Sequence, residues 1–288
     1  MNHQELIRLL TPLYGCGEAR AVVRLVMEER FGLTQTDLLL GKDTTLSADE
    51  RKEFEKIAQR LVKGEPVQYV LGYTLFCGHR FRVTPDVLIP RPETEELVHV
   101  SLESLTMDIA REKAHPLSPK ILDLCTGSGC IAIAVALALP EAEVIGIDIS
   151  EAALDVARLN ASTLGAANVR FFRADVLADC FDAGSPADLI ISNPPYVRQS
   201  EATSMGAHVV NHEPHVALFV PDDDALRFYR AIAAVGRRIL RHGRQIAVEI
   251  NSALSAETSS LFEASGFQNV KVREDQFGRP RILQCTAT

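Results

Sequence analysis

The spacing of apolar residues is helical over the first part of the chain. Two stripes recur at intervals of three and four residues, the first at Leu6, Leu9, Leu10 and Leu13 and the second at Val22, Val23, Val26 and Met27. Such intervals place apolar side chains on one face of an α-helix. The pattern therefore predicts short helices whose apolar stripes pack into a core.

A third helix is predicted by its end signals as well as by its spacing. Ser47 and Glu50 have the spacing of a capping box, in which each side chain accepts from the other residue's backbone N–H. Gly64 is a suitable terminator, because glycine readily adopts the left-handed conformation that ends many helices. The buried face of this helix is expected to be Phe54, Ile57, Ala58 and Leu61.

The pattern changes after Pro66. Residues 75–83 alternate in polarity around a central glycine, Gly78, as a β-hairpin does. The segment Ile-Pro-Arg-Pro-Glu-Thr-Glu-Glu-Leu follows at 89–97. Within it Pro92 suits the first position of a helix, with acidic residues in the first turn. The sequence therefore predicts a hairpin and then a helix.

Strand and helix patterns alternate from Lys120 onward. Strands are expected near 120–125, 143–148, 169–173, 188–192, 244–250, 268–273 and 281–286, and helices near 129–139, 151–164, 223–241 and 253–265. This alternation predicts an α/β fold with a mostly parallel sheet and helices on both faces. The last two strands have no helix between them and are expected to pair as an antiparallel hairpin at one side of the sheet. Residues 111–119, with Pro116 and Pro119, are expected to form a surface loop before the sheet begins.

A glycine-rich segment follows the first of these strands. Asp123-Leu124-Cys125-Thr126-Gly127-Ser128-Gly129 leaves the strand and opens a helix. Gly127 and Gly129 permit a tight turn and a close approach of backbone to a ligand. The segment is therefore predicted to bind a nucleotide-type cofactor.

Acidic residues end the next two strands. Asp148 has the spacing from the glycines at which a carboxylate can accept hydrogen bonds from ribose hydroxyls. Asp175, with Val176 beside it, ends the third strand, where an adenine edge would lie. Because Gly127, Gly129 and Ala132 also satisfy a dinucleotide fingerprint, these features fit NAD-type cofactors and S-adenosylmethionine equally.

The tetrapeptide Asn193-Pro194-Pro195-Tyr196 favours one of the two cofactors. It follows the apolar strand 188–192, at the edge where open α/β sheets place their chemistry. The Asn193 side-chain oxygen and the Pro194 carbonyl are two acceptors suited to hold both hydrogens of a planar –NH2 group, and Tyr196 can cover its flat face. Methyl transfer to nitrogen needs such a clamp and hydride transfer does not, so we expect S-adenosylmethionine and an in-line displacement that needs no metal.

Composition and charge narrow the partners. The chain has 288 residues, 47% of them hydrophobic. Its net charge of −8 comes entirely from residues 81–288, since residues 1–80 carry equal numbers of basic and acidic groups. No basic stripe suits a nucleic acid, and neither a membrane-spanning run nor a signal peptide is evident. The cysteines lack metal-ligand spacing and favour a reducing cytoplasm; they are Cys16, Cys77, Cys125, Cys130, Cys180 and Cys285.

Other polar residues carry less information. His79 and the group His208, His212 and His215 show no convincing metal spacing and are expected to be solvated or packed. Glu249 ends the fifth strand at the same edge as the tetrapeptide. It is expected either to shape a substrate pocket or to be a surface carboxylate.

At this point the chain resembles a known family. The glycine-rich segment 123–129, the tetrapeptide 193–196, the segment 89–97 and Glu213-Pro214-His-Val-Ala-Leu218 together are similar to the glutamine N5-methyltransferases of class I peptide-chain release factors, the HemK/PrmC family. The resemblance spans nearly the whole chain. It implies a class I Rossmann-like methyltransferase with a seven-stranded, mostly parallel sheet, a small N-terminal all-helical domain and a β-hairpin connector.

The resemblance also implies domain boundaries and site residues. Residues 1–72 would recognise the substrate, residues 73–92 would form the hairpin linker and residues 93–288 would bind S-adenosylmethionine. The cofactor would contact Cys125, Thr126, Gly127, Ser128, Gly129, Asp148, Asp175, Val176 and Asn193. The glutamine of a Gly-Gly-Gln motif would be held by Asn193, Pro194, Pro195 and Tyr196, of which Asn193, Pro194 and Tyr196 would be catalytic. No metal is implied.

Two departures from the family pattern occur in the glycine-rich segment, and the second keeps an alternative substrate in view. Cys125 stands where the family usually has a glycine, and Cys125–Cys130 is also similar to the enzymes that methylate a glutamine of ribosomal protein uL3. Those enzymes typically diverge after the first Pro-Arg, whereas this chain continues Pro92-Glu93-Thr94 after Arg91, which favours the release-factor enzyme. A nucleic-acid adenine N6-methyltransferase and a nucleotide-dependent oxidoreductase also fit parts of the pattern. The acidic charge argues against the first and the –NH2 clamp against the second.

Overall fold

The computed structural model describes residues 1–111, 118–178 and 186–288. In chain order the α-helices α1 to α11 span His3–Phe31, Gln35–Leu39, Ala48–Val62, Val67–Leu71, Pro92–Arg111, Cys130–Ala138, Glu151–Leu164, Ala207–His212, His215–Leu218, Arg227–Ile239 and Ser255–Ala264. The strands β1 to β11 span Tyr73–Phe76, His79–Arg82, Lys120–Leu124, Glu143–Asp148, Val169–Arg173, Ala187–Ser192, Val197–Arg198, Phe219–Val220, Leu240–Glu249, Gln268–Glu274 and Pro280–Thr286.

The chain divides into two compact units. One comprises Met1–Tyr73 with Met205–His212, and the other comprises Thr74–Ser204 with Glu213–Thr288. Most of the loop expected at 111–119, including Pro116, lies outside the described residues, as does Cys180.

The first unit is helical, and the predicted buried face of its first helix was partly wrong. Leu6 and Leu10 are fully buried, but Leu9 and Leu13 are 47% and 52% exposed. The buried face is shifted because His3 is also buried, where its Nδ1 lies 2.6 Å from Asp43 Oδ2. A face that includes His3, Leu6 and Leu10 leaves Leu9 and Leu13 on the neighbouring, exposed side of the helix.

The remaining helical predictions for this unit are confirmed. The stripe Val22, Val23, Val26 and Met27 is buried. It lies on the same helix α1 as the first stripe, but Gly15, with φ 78° and ψ 163°, interrupts the helical backbone between them. The capping box at Ser47 and Glu50 is present, and the buried residues of α3 are Phe54, Ile57, Ala58 and Leu61. Gly64 follows in the left-handed conformation and its N–H donates to the Leu61 carbonyl.

The second unit begins with the expected hairpin. Strands β1 and β2 are joined by Cys77 and Gly78, both with positive φ. Helix α5 begins at Pro92, as predicted, with Glu93 and Glu95 in its first turn. Glu95 Oε1 also accepts from the Cys77 backbone N–H at 3.0 Å, so the helix supports the hairpin turn.

A seven-stranded sheet forms the centre of this unit. Its strand order is β10-β11-β9-β6-β3-β4-β5. The five strands from β9 to β5 are parallel, and β11 and β10 extend the sheet as the expected antiparallel hairpin. All seven predicted strands are thus confirmed, together with the mostly parallel topology.

Helices cover both faces of the sheet because neighbouring residues of a buried strand point to opposite faces. On β3, Ile121 packs in one apolar cluster with residues of α5 and α6, such as Leu97 and Ile133. The next residue, Leu122, packs in the other cluster with residues of α10 and α11, such as Phe262. This arrangement leaves the carboxyl edge of the parallel strands between two layers of helices.

The boundary between α10 and β9 differs from its prediction. The expected helix 223–241 is a short 3-10 turn at Asp222–Asp224 followed by α10, and β9 begins at Leu240 rather than near residue 244. Leu240 already pairs with Ala187, and an irregularity with Gly243 at φ 76° separates this pair from the regular register. A bulged strand start has no alternating pattern, so the sequence placed the strand too late.

Candidate active site

The carboxyl ends of neighbouring parallel strands meet at one edge of the sheet. Strand β3 lies between β6 and β4, and Leu124 at its end pairs with Ser192 of β6. The chain crosses from β3 to β4 on one side, while β6 lies on the other, so a crevice opens between the outgoing loops. The glycine-rich segment and Asn193 therefore leave the sheet at adjacent positions.

Backbone hydrogen bonds tie the glycine-rich turn to the neighbouring strand. The Thr126 N–H donates to the Ile147 carbonyl at 2.8 Å, and the Gly127 N–H donates to Asp148 Oδ2 at 2.8 Å. The Gly129 N–H closes the turn on the Thr126 carbonyl at 2.9 Å. The turn is thus fixed before any ligand binds.

The two glycines of the turn are needed for different reasons. Gly129, at φ 78°, has no room for a side chain, since a Cβ there would lie 2.9 Å from the Cβ of Ala157. Gly127, at φ 54°, faces open space, and a Cβ added there would meet no atom within 4 Å. A ligand can therefore approach the backbone at Gly127, whereas Gly129 secures the packing of the helix that follows.

Cys125 has a backbone conformation that glycine adopts more readily than other residues. Its φ is 62°, in the left-handed region that side-chain-bearing residues rarely occupy. Burial and the nearby carboxylates of Asp148 and Asp123 raise the pKa of its thiol well above the ordinary value. The thiol therefore stays protonated and contributes packing rather than nucleophilic chemistry.

Asp123 supports the turn from beneath. Its buried carboxyl accepts from the Thr126 hydroxyl and, at 3.1 Å, from the Ala132 N–H, both through Oδ2. Its Oδ1 has no hydrogen-bond partner among the described residues. Burial raises the pKa of Asp123 from 3.8 to about 7, although these two donors oppose the shift.

Asp148 connects the turn to helix α7. Its Oδ1 accepts from the Ser150 N–H at 2.9 Å, while Oδ2 accepts from Gly127. Burial raises the pKa of Asp148, and the backbone donors partly offset this effect. Because a carboxylate can accept about four hydrogen bonds, lone pairs remain for a ligand after these contacts.

These residues border a cavity of about 390 Å³, a volume suited to a nucleotide-sized ligand. Of the predicted cofactor residues, those that line it are Cys125, Thr126, Gly127, Ser128, Asp148, Asp175, Val176 and Asn193. Gly129 does not line it; it is the N-cap of helix α6 and packs against Ala157 of α7 and Phe171 of β5. Asp175 Oδ1 accepts from the Leu177 N–H at 2.9 Å, and Val176 is 5% exposed.

The tetrapeptide contributes two of its four residues to the cavity. Asn193 and Pro195 line it, whereas Pro194 and Tyr196 are not among the lining residues. The Tyr196 hydroxyl donates to Glu249 Oε1 at 2.8 Å.

A chain of hydrogen bonds connects Asn193 to the interior of the protein. Asn193 Nδ2 donates to Thr94 Oγ1 at 3.1 Å, and the Thr94 hydroxyl donates to Glu249 Oε2 at 2.7 Å. Glu249 is 2% exposed, so it is a buried carboxylate and not a surface one. Burial raises its pKa, and the hydrogen bonds from Thr94 and Tyr196 oppose that shift.

A second buried carboxylate joins two segments of the cavity wall. Glu213, 3% exposed, accepts from the Ile89 N–H at 3.1 Å through Oε2 and pairs with Arg91 through Oε1. Pro90 lies between Ile89 and Arg91 in the chain, Val216 follows Glu213 by three residues, and both line the cavity. The ion pair therefore holds the 89–97 and 213–218 segments together.

Several lining residues were not predicted. Thr94, Pro90, Val216 and Ala217 lie in segments that the resemblance had marked, so a signal was present without an assigned role. Phe219, Arg227 and Phe228 also line the cavity. No local pattern marks these three, because they precede or open helix α10, whose amphipathic spacing indicates only packing.

The other polar clusters of the described ranges do not form a metal site. No group of three or more His, Cys, Asp or Glu side chains suited to a metal occurs there, and none of the helices described is long and apolar enough to cross a membrane. His208 stacks near Tyr14 at 5.6 Å between ring centroids, and His212 Nε2 lies 3.4 Å from the Lys63 carbonyl. These histidines have packing contacts.

Two family models match the chain. One is described as the PrmC N-terminal domain and matches residues 5–72, and the other is described as the methyltransferase small domain and matches residues 104–218. The chain is also similar to a solved methyltransferase from Pyrococcus furiosus, with a TM-score of 0.51 and 16% identity, over 79% of this chain and 96% of that one. This last likeness supports the fold alone.

Two relatives match over almost their full length. The release factor glutamine methyltransferase of Bacteroides thetaiotaomicron is 45% identical over 95% of this chain and 95% of its own. That of Flavobacterium psychrophilum is 37% identical over 97% of this chain and 96% of its own. These identities agree with the site, in which the glycine-rich turn, the acidic strand ends and Asn193 lie at one crevice. The chain therefore belongs to the release factor glutamine methyltransferase family.

Proposed function

We propose that this protein transfers a methyl group from S-adenosylmethionine to the side-chain amide nitrogen, N5, of the glutamine in the Gly-Gly-Gln motif of class I release factors. The observation that carries the proposal is the fixed amide of Asn193 beside a nucleotide-sized cavity. Its Nδ2 is engaged by Thr94, so Oδ1 is the atom that Asn193 can offer to a substrate –NH2 group.

The residues around the cavity fit S-adenosylmethionine. The open backbone at Gly127 admits a ligand, the Asp148 carboxylate has lone pairs for ribose hydroxyls, and Val176 gives an apolar wall suited to adenine. When bound, S-adenosylmethionine supplies a methyl group already activated by its positive sulfonium, and S-adenosylhomocysteine is the product. No metal enters the proposal.

The protein's own residues would act on the glutamine. An amide nitrogen is a poor nucleophile, because its lone pair is delocalised into the carbonyl. Two acceptors, Asn193 Oδ1 and the Pro194 carbonyl, would hold its two hydrogens, aim the nitrogen and stabilise positive charge that develops on it. Pro195 would border the bound side chain. Tyr196 would cover the flat face of the substrate amide, with its hydroxyl held by Glu249.

Residues 1–72 are proposed to recognise the release factor, with residues 73–92 as linker and residues 93–288 as the methyltransferase domain. Leu39 and Leu40, in and just after helix α2, are 80% and 70% exposed and offer an apolar docking surface. A cytoplasmic location is part of the proposal. The free state of the described cysteines supports it, since disulfides are rare there.

The test is mass spectrometry of a class I release factor after incubation with the protein and S-adenosylmethionine. The Gly-Gly-Gln peptide should gain one methyl group on its glutamine, and a release factor carrying Gln→Glu at that position should gain none. Ribosomal protein uL3 is the parallel substrate. Methylation of uL3 but not of the release factor would contradict the proposed substrate.

The docking role is tested separately. Leu39→Asp with Leu40→Asp should raise the KM for release factor while leaving S-adenosylhomocysteine affinity unchanged. Leu159→Asp, at a leucine that is 46% exposed on helix α7 of the other unit, is the control. An equal KM in the double variant and the control would remove this surface from the proposal.

A further inference from the structure

We infer that Glu249 and Thr94 are positioning residues that fix the orientation of the Asn193 amide, so that the site accepts hydrogens from an –NH2 group and rejects a carboxylate. The inference rests on the proposed glutamine substrate, and it assigns the discrimination between glutamine and glutamate to two residues that need not touch the substrate.

The direction of each hydrogen bond follows from the buried end of the chain. An ionised carboxylate only accepts, so the Thr94 hydroxyl must donate its one hydrogen to Glu249 Oε2, which lies 2.7 Å away. Towards Asn193 the Thr94 oxygen then presents only lone pairs. Asn193 must therefore donate to this oxygen, and its Nδ2 lies 3.1 Å from Thr94 Oγ1.

The opposite orientation of Asn193 is disfavoured. It would place Oδ1 against the Thr94 oxygen, two acceptors in contact with no hydrogen between them. Thr94 is 2% exposed, so water has little access to relieve the conflict. The Asn193 amide is therefore set with Nδ2 towards Thr94 and with Oδ1 available to the substrate.

The Glu249 carboxylate, which sets the direction of these hydrogen bonds, is itself held in place. Its second oxygen, Oε1, accepts from the Tyr196 hydroxyl at 2.8 Å, so each oxygen of Glu249 has one donor. Its backbone carbonyl accepts from the buried Tyr229 hydroxyl at 3.2 Å. Arg281 lies near enough to lower the pKa of Glu249, although burial has the larger, raising effect. The ionised form is thus supported by two hydrogen bonds and one cation.

The relay has a consequence for substrate choice. A glutamine amide brings hydrogens to Asn193 Oδ1, whereas a glutamate carboxylate would bring a second acceptor and leave both oxygens without a donor. An unpaired buried acceptor reduces binding by about 5- to 150-fold. Reversal of the Asn193 amide would expose Nδ2 instead and would remove this preference.

The experiment compares four variants of the full-length protein. Glu249→Gln introduces an amide nitrogen that can donate to Thr94 and so frees the Thr94 hydrogen to turn towards Asn193. Thr94→Val removes the hydroxyl at nearly constant volume, and Thr94→Ser restores it. Glu263→Gln makes the same chemical change as Glu249→Gln on the exposed face of helix α11 and is the matched control.

Two measurements are made on each variant. The first is the ratio of dissociation constants for release factor with glutamine and with glutamate at the target position, in the presence of S-adenosylhomocysteine. The second needs no substrate. The side-chain NH2 signals of Asn193, assigned by their loss in Asn193→Asp, report hydrogen exchange of the proton bonded to Thr94.

We expect Glu249→Gln and Thr94→Val each to reduce the glutamine preference by about 5- to 150-fold and to accelerate exchange of the Asn193 proton. Thr94→Ser should recover most of both properties, and Glu263→Gln should match the parent. The double variant Glu249→Gln/Thr94→Val should lose no more glutamine preference than the more affected single variant, because both changes break the same chain of hydrogen bonds.

The outcomes separate the inference from the proposed function. If the parent neither binds nor methylates the release factor, the proposed substrate is wrong, and the exchange measurement still decides the relay. If the parent prefers glutamine and both Glu249→Gln and Thr94→Val keep that preference and the slow exchange, the relay is overturned. Equal losses in Thr94→Ser and Thr94→Val would also overturn it, since they would show packing rather than the hydroxyl to be responsible.

Discussion

Arg91 and Glu213, which are 122 positions apart in the sequence, form an ion pair whose carboxylate end is buried. The Glu213 side chain is 1% exposed and that of Arg91 is 33% exposed. Glu213 therefore depends on Arg91 and on the Ile89 N–H for its compensation. Since Pro90 and Val216 beside them line the cavity, the pair links the stability of the protein to the shape of its site.

Loss of Arg91 should destabilise the protein. In Arg91→Ala the buried Glu213 carboxylate keeps only the Ile89 N–H, and we expect a loss of roughly 3 kcal/mol in the free energy of unfolding. Arg170→Ala, which breaks a 3.5 Å pair with Glu143 on the surface, should change it little. Urea unfolding measures both, and equal effects would show that the buried pair has no special weight.

Asp148 should contribute to cofactor affinity through charge-assisted hydrogen bonds. Asp148→Ala removes the proposed ribose contact and the acceptor that holds the Gly127 N–H. We expect S-adenosylhomocysteine binding to weaken by about 1.5–3 kcal/mol. Calorimetry measures this, with Asp155→Ala on the exposed face of α7 as the control. Unchanged affinity would exclude Asp148 from the site.

Asn193→Ala should abolish most turnover without unfolding the protein. By analogy with the removal of one oxyanion-hole donor, the loss of one acceptor for the substrate amide should cost roughly 2.7–4 kcal/mol in transition-state stabilisation. Single-turnover methylation of a release factor measures the rate, and circular dichroism checks the fold. A well-folded variant that transfers methyl at the parental rate would show that other groups orient the nucleophile.

Cys125→Gly should stabilise the protein relative to Cys125→Ala. Both variants lose the thiol, but only glycine adopts a φ of 62° without a steric penalty. For other residues this penalty is about 1–2 kcal/mol. The greater freedom of glycine in the unfolded chain offsets part of its advantage. The difference between the two variants in urea unfolding should therefore be about 1 kcal/mol in favour of glycine. If alanine is as stable as glycine, the backbone at this position is not strained.

The pKa of Asp123 predicts a pH dependence of stability. Its pKa is about 7 in the folded protein, above the ordinary 3.8, because burial disfavours the charged form. Between these values the folded state binds more protons than the unfolded state. Stability from this group is therefore present at low pH and is lost as the pH rises towards 7.

Asp123→Asn tests this dependence by removing the titrating group. The three-unit difference corresponds to at most about 4 kcal/mol. Urea unfolding at pH 5 and pH 8 should show a smaller decrease in the variant than in the parent. An equal decrease in both would place the titration elsewhere.

Much of the methyltransferase unit could be predicted from the sequence because its signals are local. A buried parallel strand is a short apolar run, and each of the seven predicted strands, five parallel and two antiparallel, lies in the sheet. Because carboxyl ends of parallel strands share an edge, residues that follow those runs had to lie near one another. The glycine-rich segment, Asp148, Asp175 and Asn193 were predicted as site residues in this way. All of them border one cavity except Asp123, Leu124 and Gly129 of the segment.

The sequence by itself thus determined the type of sheet, the edge that carries the site and the residue types at each strand end. Only the tertiary structure decided which distant groups meet there. Thr94 reaches Glu249 across 155 positions and Asn193 across 99, and the Tyr196 hydroxyl donates to Glu249 across 53. The physical reason is that a hydrogen bond between separate elements depends on strand order and helix placement, which no local period of apolar residues encodes. For the same reason, the prediction that Leu9 and Leu13 are buried was wrong. The buried pair of His3 and Asp43 decides which side of helix α1 faces the core.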